Sequence, residues 1–159
     1  MKADLCPSLC LVSLLRERSM TLAAAESCTG GWFAKRVVDA PGASAVFLGG
    51  VVSYTNEIKK KILGVKSETL LAHTAVSAPV AAEMACGVRE RFGADVGISV
   101  TGLAGPGGGT EKIPVGRVFI GIATGEGTEV LSLSLPGTRE DVRRAATDEM
   151  FAALINRLS

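Results

Sequence analysis

Residues 24–31 read AAESCTGG, and the fold follows from how that stretch is taken. Two hydroxyls, a thiol and a pair of glycines suit neither a helix interior nor a strand. Ser and Thr compete for nearby backbone hydrogen bonds, and Gly leaves nothing to pack. They do suit a strand-to-helix corner. Upstream, MTLAAAE (20–26) is a short apolar run that reads as a buried strand ending at Glu26. Downstream, GGWFAKRVVD (30–39) reads as a helix with Trp32, Phe33, Val37 and Val38 on its inner side. A strand feeding a helix through a glycine-rich corner is the unit of an α/β sheet, and open sheets of that kind place their sites at the carboxyl ends of strands.

The rest of the chain continues the alternation. Pro7 to Arg18 reads as a first helix, and DAPGAS (39–44) as a turn. AVFLGGVVSY (45–54) is a β-branched run, a strand interrupted by Gly49 and Gly50. TNEIKKKIL (55–63) is a short helix with Thr55 as its N-cap and Gly64 just past its end. SAPVAAEMACGVRERFG (77–93) is the clearest helix, capped by Ser77, with Pro79 in its first turn and Gly93 as its stop. ADVGISVTG (94–102) is a buried strand leading into the loop GLAGPGGGTEKIP (102–114). VGRVFIGIATG and TEVLSLSLPG flank Gly125-Glu126-Gly127 and form an antiparallel hairpin. TREDVRRAATDEMFAALINRL (138–158) closes the chain as a helix capped by Thr138, with Glu140 and Asp141 in its first turn. The expected fold is α/β, a three-layer α/β/α sandwich on a mixed, mainly parallel sheet. One domain spans 1–159, with an N-terminal helix within 1–19 and a catalytic core over 20–159.

Composition narrows the function. Aromatics make up only 4% of the 159 residues, so the core must come from Ala, Val, Ile and Leu. A formal net charge of +1 argues against a nucleic-acid or other polyanion binder, while leaving room for a local site for one phosphate. Cys6, Cys10, Cys28 and Cys86 are too few and too irregular for a disulfide scaffold. Cys6 and Cys10 have i, i+4 spacing, but no second pair of ligands answers them, so no metal is expected. LCPSLCLVSLL after Lys2 has a faint likeness to a signal peptide. Asp4, Pro7, the trailing RERS and the missing small-x-small cleavage site argue against one. With no run of ~20 apolar residues for a membrane span, the chain reads as cytoplasmic.

Ser27 lies at the corner, where the free N–H groups and dipole of the next helix favour an anion or a developing oxyanion. Ser27 or Thr29 could equally cap that helix. Cys28 is a rival nucleophile, since a thiol at a helix N-terminus has a lowered pKa. A serine nucleophile needs a base, and the only histidine, His73 in LLAHTAVS, suits a surface or capping role better. A lysine can serve if its amine is neutral, which means lowering a pKa of ~10.4 to near neutrality, roughly 4 kcal/mol. At about 100° per residue, Ile58, Ile62 and Leu63 form an apolar stripe, with Lys59 about 40° from its centre and Lys60 and Lys61 more than about 100° away. Lys59 is the one that can point inward. Tyr54, at the strand end before it, could relay a proton or orient a substrate. TGLAGPGGGT (101–110) fits neither the P-loop nor the dinucleotide fingerprint, because no Gly-Lys-Ser/Thr follows and Pro114 blocks an immediate helix. It remains a loop able to cradle a small ligand through its N–H groups.

AESCTGG, VSYTNEIK, VTGLAGPGGGT…PVG and PGTREDVRR occur together in an order and spacing that closely resemble the CinA C-terminal domain family, from about Thr21 to the end. Members include stand-alone nicotinamide-nucleotide amidases. The resemblance implies an α/β/α fold, often dimeric, that hydrolyses the carboxamide of nicotinamide mononucleotide to nicotinate mononucleotide and ammonia without metal or cofactor. It implies a Ser-Lys pair with a helping tyrosine, here Ser27, Lys59 and Tyr54. Substrate contacts would come from Cys28, Thr29, Gly30, Gly31, Asn56, Thr101, Gly102, Gly105 and Arg139, with Arg139 on the anion-binding side. NEIKKK carries more lysine than the usual motif. The larger N-terminal domain of full-length CinA proteins is not in these 159 residues, so pyrophosphatase activity tied to that domain is not expected of them. Two other readings are a nucleotide-binding module without catalysis and a hydrolase of a different small amide.

Overall fold

The computed structural model describes residues 6–159. Lys2 and Asp4, which enter the signal-peptide reading, lie outside them. Five strands form one sheet in the order β2-β1-β3-β4-β5: β1 (Leu22–Glu26), β2 (Phe47–Val52), β3 (Val96–Gly102), β4 (Arg117–Thr124) and β5 (Gly127–Ser134). β1, β2, β3 and β5 run one way and β4 alone runs the other, so the sheet is mixed, with two parallel and two antiparallel neighbouring pairs. Among the described residues six helices complete the fold: α1 (Pro7–Glu17), α2 (Trp32–Val38), α3 (Asn56–Leu63), α4 (Ser67–His73), α5 (Ala78–Phe92) and α6 (Arg139–Leu158). A single 3-10 turn, Ala43–Ala45, fills the segment expected as a turn.

The sheet separates two cores, as the period of two along a strand requires. Leu22 and Ala24 of β1 join Val96, Ile98, Val100, Val118, Ile120 and Ile122 under α1, α2 and α6. Ala23 and Ala25 face the opposite way, against Val80, Met84 and Val88 of α5 and Leu63 of α3. On the first side Phe33 of α2 meets Phe151 of α6, with ring centroids 4.7 Å apart. Val38, expected on the inner face of α2, is instead 59% exposed. α2 has only seven residues, so Phe33 and Val37, four apart, take its inner stripe and the adjacent Val38 falls outside it.

α5 lies close against the sheet because small residues let it. A Cβ added at Gly97 would stand 2.2 Å from the Ala85 carbonyl oxygen, and one at Gly121 would stand 2.5 Å from that of Ala81. Ser99, between them, donates to the Ala81 carbonyl at 2.6 Å. On its outer side α5 seats α3. A Cβ at Gly87 would come within 1.9 Å of the Leu63 carbonyl oxygen, and Arg91 Nε donates to the Ile62 carbonyl at 3.0 Å. These contacts fix how deep α3, with its lysines, sits beside the sheet. Within β2, Gly49 adopts φ 140° against the Phe92 ring, where any side chain would be strained and crowded. The strand runs on through both glycines, but its pairing with β1 slips by one residue between Phe47 and Gly49, so the interruption expected there is a shift of register and not an end.

Candidate active site

The carboxyl ends of the three neighbouring parallel strands meet at one point. Ser27 follows β1, Ser53 and Tyr54 follow β2, and Thr101 and Gly102 end β3. Backbone bonds lock the three ends together: Ser27 N–H donates to the Val100 carbonyl at 3.1 Å, and Ser53 N–H to the Glu26 carbonyl at 2.8 Å. The chain leaves β1 through α2 on one face and enters β3 from α5 on the other. A crevice opens beyond the strand ends at such a switch of direction.

α3 enters from its Thr55 cap, whose side chain accepts from Ile58 N–H at 3.3 Å. That start sets the rotation of the helix. Lys59 is 1% exposed, while Lys60 and Lys61 lie on the solvent side. Lys59 Nζ lies 2.9 Å from Ser27 Oγ, 2.7 Å from the Ser53 carbonyl oxygen and 3.4 Å from that of Tyr54. Burial pushes the amine down from 10.5 to about 8. In its neutral form, two N–H bonds can serve the two carbonyls and leave the lone pair facing the Ser27 hydroxyl. His73, at the exposed end of α4, takes no part. Burial pushes the Cys28 thiol up to about 11, so it is protonated at neutral pH, contrary to the lowered value its place before a helix suggests.

The α2 N-terminus itself is already occupied, by a carboxylate. Glu26 is buried, and its carboxylate accepts from Phe33 N–H at 2.9 Å, Ala34 N–H at 3.0 Å and the Thr29 hydroxyl at 2.5 Å. It supplies the cap that Gly31, which precedes the helix, has no side chain to give. Gly30 N–H is also spent, donating to the Ser27 carbonyl at 3.1 Å. The N–H groups of Cys28, Thr29 and Gly31 have no acceptor in another described residue. From α6, Arg143 reaches behind the turn, its Nε 2.9 Å from the Cys28 carbonyl oxygen and its Nη2 3.2 Å from that of Thr29.

A pocket of about 280 Å³ opens over Ser27 and Lys59. Cys28, Tyr54, Thr101, Gly102 and Arg139 line it too, so seven of the residues singled out in sequence converge there. Thr29, Gly30, Gly31, Asn56 and Gly105 do not line it: Thr29 is turned inward to Glu26, and Gly105 offers its carbonyl to Arg139 Nη1 at 2.7 Å. Tyr54 is 62% exposed, and its phenol oxygen accepts from Arg139 Nη2 at 3.1 Å. Its carbonyl, and not its phenol, touches Lys59. Thr101 spends its hydroxyl on the Ala75 carbonyl at 2.8 Å, which pins the loop before α5 as one wall. A larger hollow of about 360 Å³ at the opposite end of the sheet holds Arg18, Arg89 and Arg157. Arg157 is paired with Glu126 and Glu129 there, and Arg89 donates to the Asp95 carbonyl.

Residues 8–158 match the CinA C-terminal domain. The chain belongs to the CinA C-terminal domain family. CinA-like proteins of Mycolicibacterium gilvum and Chlorobaculum tepidum are 50% and 56% identical to it, over 87% and 72% of this chain but only 33% and 27% of their own length. The chain thus spans about a third of the length of the curated relatives it matches. Solved CinA superfamily structures match end to end. The Klebsiella pneumoniae protein gives a TM-score of 0.92 at 34% identity over 96% of this chain and 95% of its own. A competence/damage inducible protein of Agrobacterium tumefaciens gives 0.90 at 33% identity over 98% of each. Within this CinA domain, sequence reasoning missed Glu26 and Arg143 beneath the turn and Ala75, Val76, Leu103 and Ala104 on the pocket wall. Glu26 caps amides seven and eight residues away, outside the span of local capping patterns, and Arg143 lies 115 residues from Cys28.

Proposed function

We propose that the domain is an amidohydrolase that deamidates nicotinamide mononucleotide to nicotinate mononucleotide and ammonia. The observation that carries the reading is the buried Lys59 amine, 2.9 Å from Ser27 Oγ, with its pKa pushed down to about 8. Neutral Lys59 takes the proton as Ser27 Oγ attacks the carboxamide carbon. The C=O bond opens to a tetrahedral oxyanion, for which the Cys28 and Thr29 N–H groups are unspent backbone donors on the turn. One such donor contributes about 3 kcal/mol to the transition state. The lysine then gives its proton to the departing nitrogen as the C–N bond breaks and ammonia leaves. Water, activated by the same amine, cleaves the acyl-enzyme ester and frees the carboxylate and Ser27. Arg139, held at the rim by Gly105 and Tyr54, is the cation available to the nucleotide phosphate.

Incubating the protein with nicotinamide mononucleotide and following ammonia and nicotinate mononucleotide tests the reading. Stoichiometric release of both supports it. Binding of the nucleotide with neither product would favour a non-catalytic module, and release of ammonia from other small amides alone would move the substrate while keeping the chemistry.

A further inference from the structure

Arg143 stands behind the nucleophile turn, off the pocket surface, yet both hydrogen bonds its guanidinium makes among the described residues go to that turn. Nε donates to the Cys28 carbonyl and Nη2 to the Thr29 carbonyl, at 2.9 and 3.2 Å. The guanidinium carbon lies 5.6 Å from the centre of the Trp32 ring, which holds it in place. A Cβ at Gly30 would stand 3.4 Å from Nη2, where φ is +62°. The conformation favours glycine there, and the guanidinium packs at ordinary contact distance.

A trans peptide carries its N–H opposite its carbonyl, so each bond from Arg143 has a consequence on the far side of the turn. The Cys28 carbonyl shares its peptide with the Thr29 N–H. The Thr29 carbonyl shares its peptide with the Gly30 N–H, which donates to the Ser27 carbonyl at 3.1 Å. The Ser27 carbonyl in turn shares its peptide with the Cys28 N–H. Two lines of polarised peptides therefore run from one guanidinium, and they end at the Thr29 and Cys28 N–H groups. Within Ser27–Gly30 those are the two amides with no acceptor in another described residue; the Gly31 N–H beyond them has none either, but no bond from Arg143 leads to it. A charged donor makes the stronger hydrogen bond, and bonds in series polarise one another in a low-dielectric interior. On the other side Glu26 holds the Thr29 hydroxyl and the start of α2, so the turn is clamped between a carboxylate and a guanidinium.

We infer that Arg143 is a positioning residue for acyl transfer, fixing and polarising the Ser27–Gly30 turn so that the Cys28 and Thr29 amides stand ready for the oxyanion. The inference rests on Ser27 being the nucleophile, but not on the identity of the amide. The test is the rate at which a fluorophosphonate probe labels Ser27. In that step the Oγ–P bond forms, the P–F bond breaks and fluoride leaves, the Ser27 proton passes to Lys59, and the phosphoryl oxygen takes the oxyanion position. Folded Arg143→Met should label roughly 100-fold more slowly than wild type. Arg143→Lys, able to reach one carbonyl but not both, should lose roughly 10-fold. The pH midpoint of labelling, set by Lys59, should stay where it is. For nicotinamide mononucleotide, kcat should fall by the same factors while KM stays within about twofold. A purely structural role would lower the melting temperature and leave these rates untouched. Labelling of Arg143→Met within about twofold of wild type would overturn the inference; should that variant not fold, Arg143→Lys at the wild-type rate would do so. A wild-type protein that labels, and slows on these substitutions, but releases no ammonia removes the proposed substrate and leaves the role of Arg143 standing. A wild-type Ser27 that does not label overturns both.

Discussion

Lys59 is placed where a charge is costly and a neutral amine is useful. Its surroundings are the Ser53 and Tyr54 carbonyls and the Ser27 hydroxyl, with almost no water. With its pKa near 8, kcat/KM for amide hydrolysis should rise with pH through an apparent pKa near 8 and then level off, as expected for a base that must be neutral. A profile flat from pH 6 to about 9 would contradict that role. Stability should follow the same proton. Between about 8 and 10.5 the unfolded chain holds a proton on Lys59 that the folded chain has released, so folding stability rises with pH across that window and falls again as pH drops through 8. Compared with Lys59→Met, the wild type should gain up to ~3 kcal/mol over the window in denaturant melts; a constant difference would show that burial does not shift this amine. Lys59 could be read from the sequence because one helical wheel contains the whole argument. Tyr54 could not be read so far: which way its ring turns depends on Arg139, 85 residues away.

At the scale of elements, local signals were readable and distant ones were not. The Thr55, Ser77 and Thr138 caps and the Gly64 and Gly93 stops stand where the sequence places them, because each motif is complete within a few residues. Thr138 and Asp141 form a full capping box at the start of α6. The cap of α2 is different, since it comes from a strand residue across a turn, and the pattern TGGW gave no sign of it. Gly87 shows the same limit: inside a clear helix it looks like a mild defect, and only the packing of α3 on α5 explains it. Gly87→Ala should therefore cost more than its helix propensity suggests. The added methyl meets the Leu63 backbone and must push α3 outward, costing roughly 1–3 kcal/mol. Because α3 carries Lys59, the variant should also lose activity beyond its loss of folded protein. Unchanged stability and rate would mean that the depth of α3 does not matter to the site.

Across the whole molecule, the sheet order does what no single motif can. β1 lies between β2 and β3 with all three running in parallel, so residues 27, 54, 59, 101 and 139 arrive at one mouth from four separate parts of the chain. The sequence made the layers and the alternation legible, along with the corner after β1, and the two fit the solved CinA superfamily structures. It left open which neighbours β1 would have, because strand order depends on how helices cross both faces and not on any local pattern. In the proposed mechanism this meeting point makes Ser27, and not its neighbour Cys28, the nucleophile. The most direct measurement is ammonia release from nicotinamide mononucleotide at pH about 9 by wild type, Ser27→Ala and Cys28→Ala, each shown to be folded by its melting curve. Ser27→Ala should lose at least about 1,000-fold in kcat while Cys28→Ala stays within about 10-fold of wild type. Release that persists in Ser27→Ala, or disappears only in Cys28→Ala, would rule out Ser27 as the nucleophile.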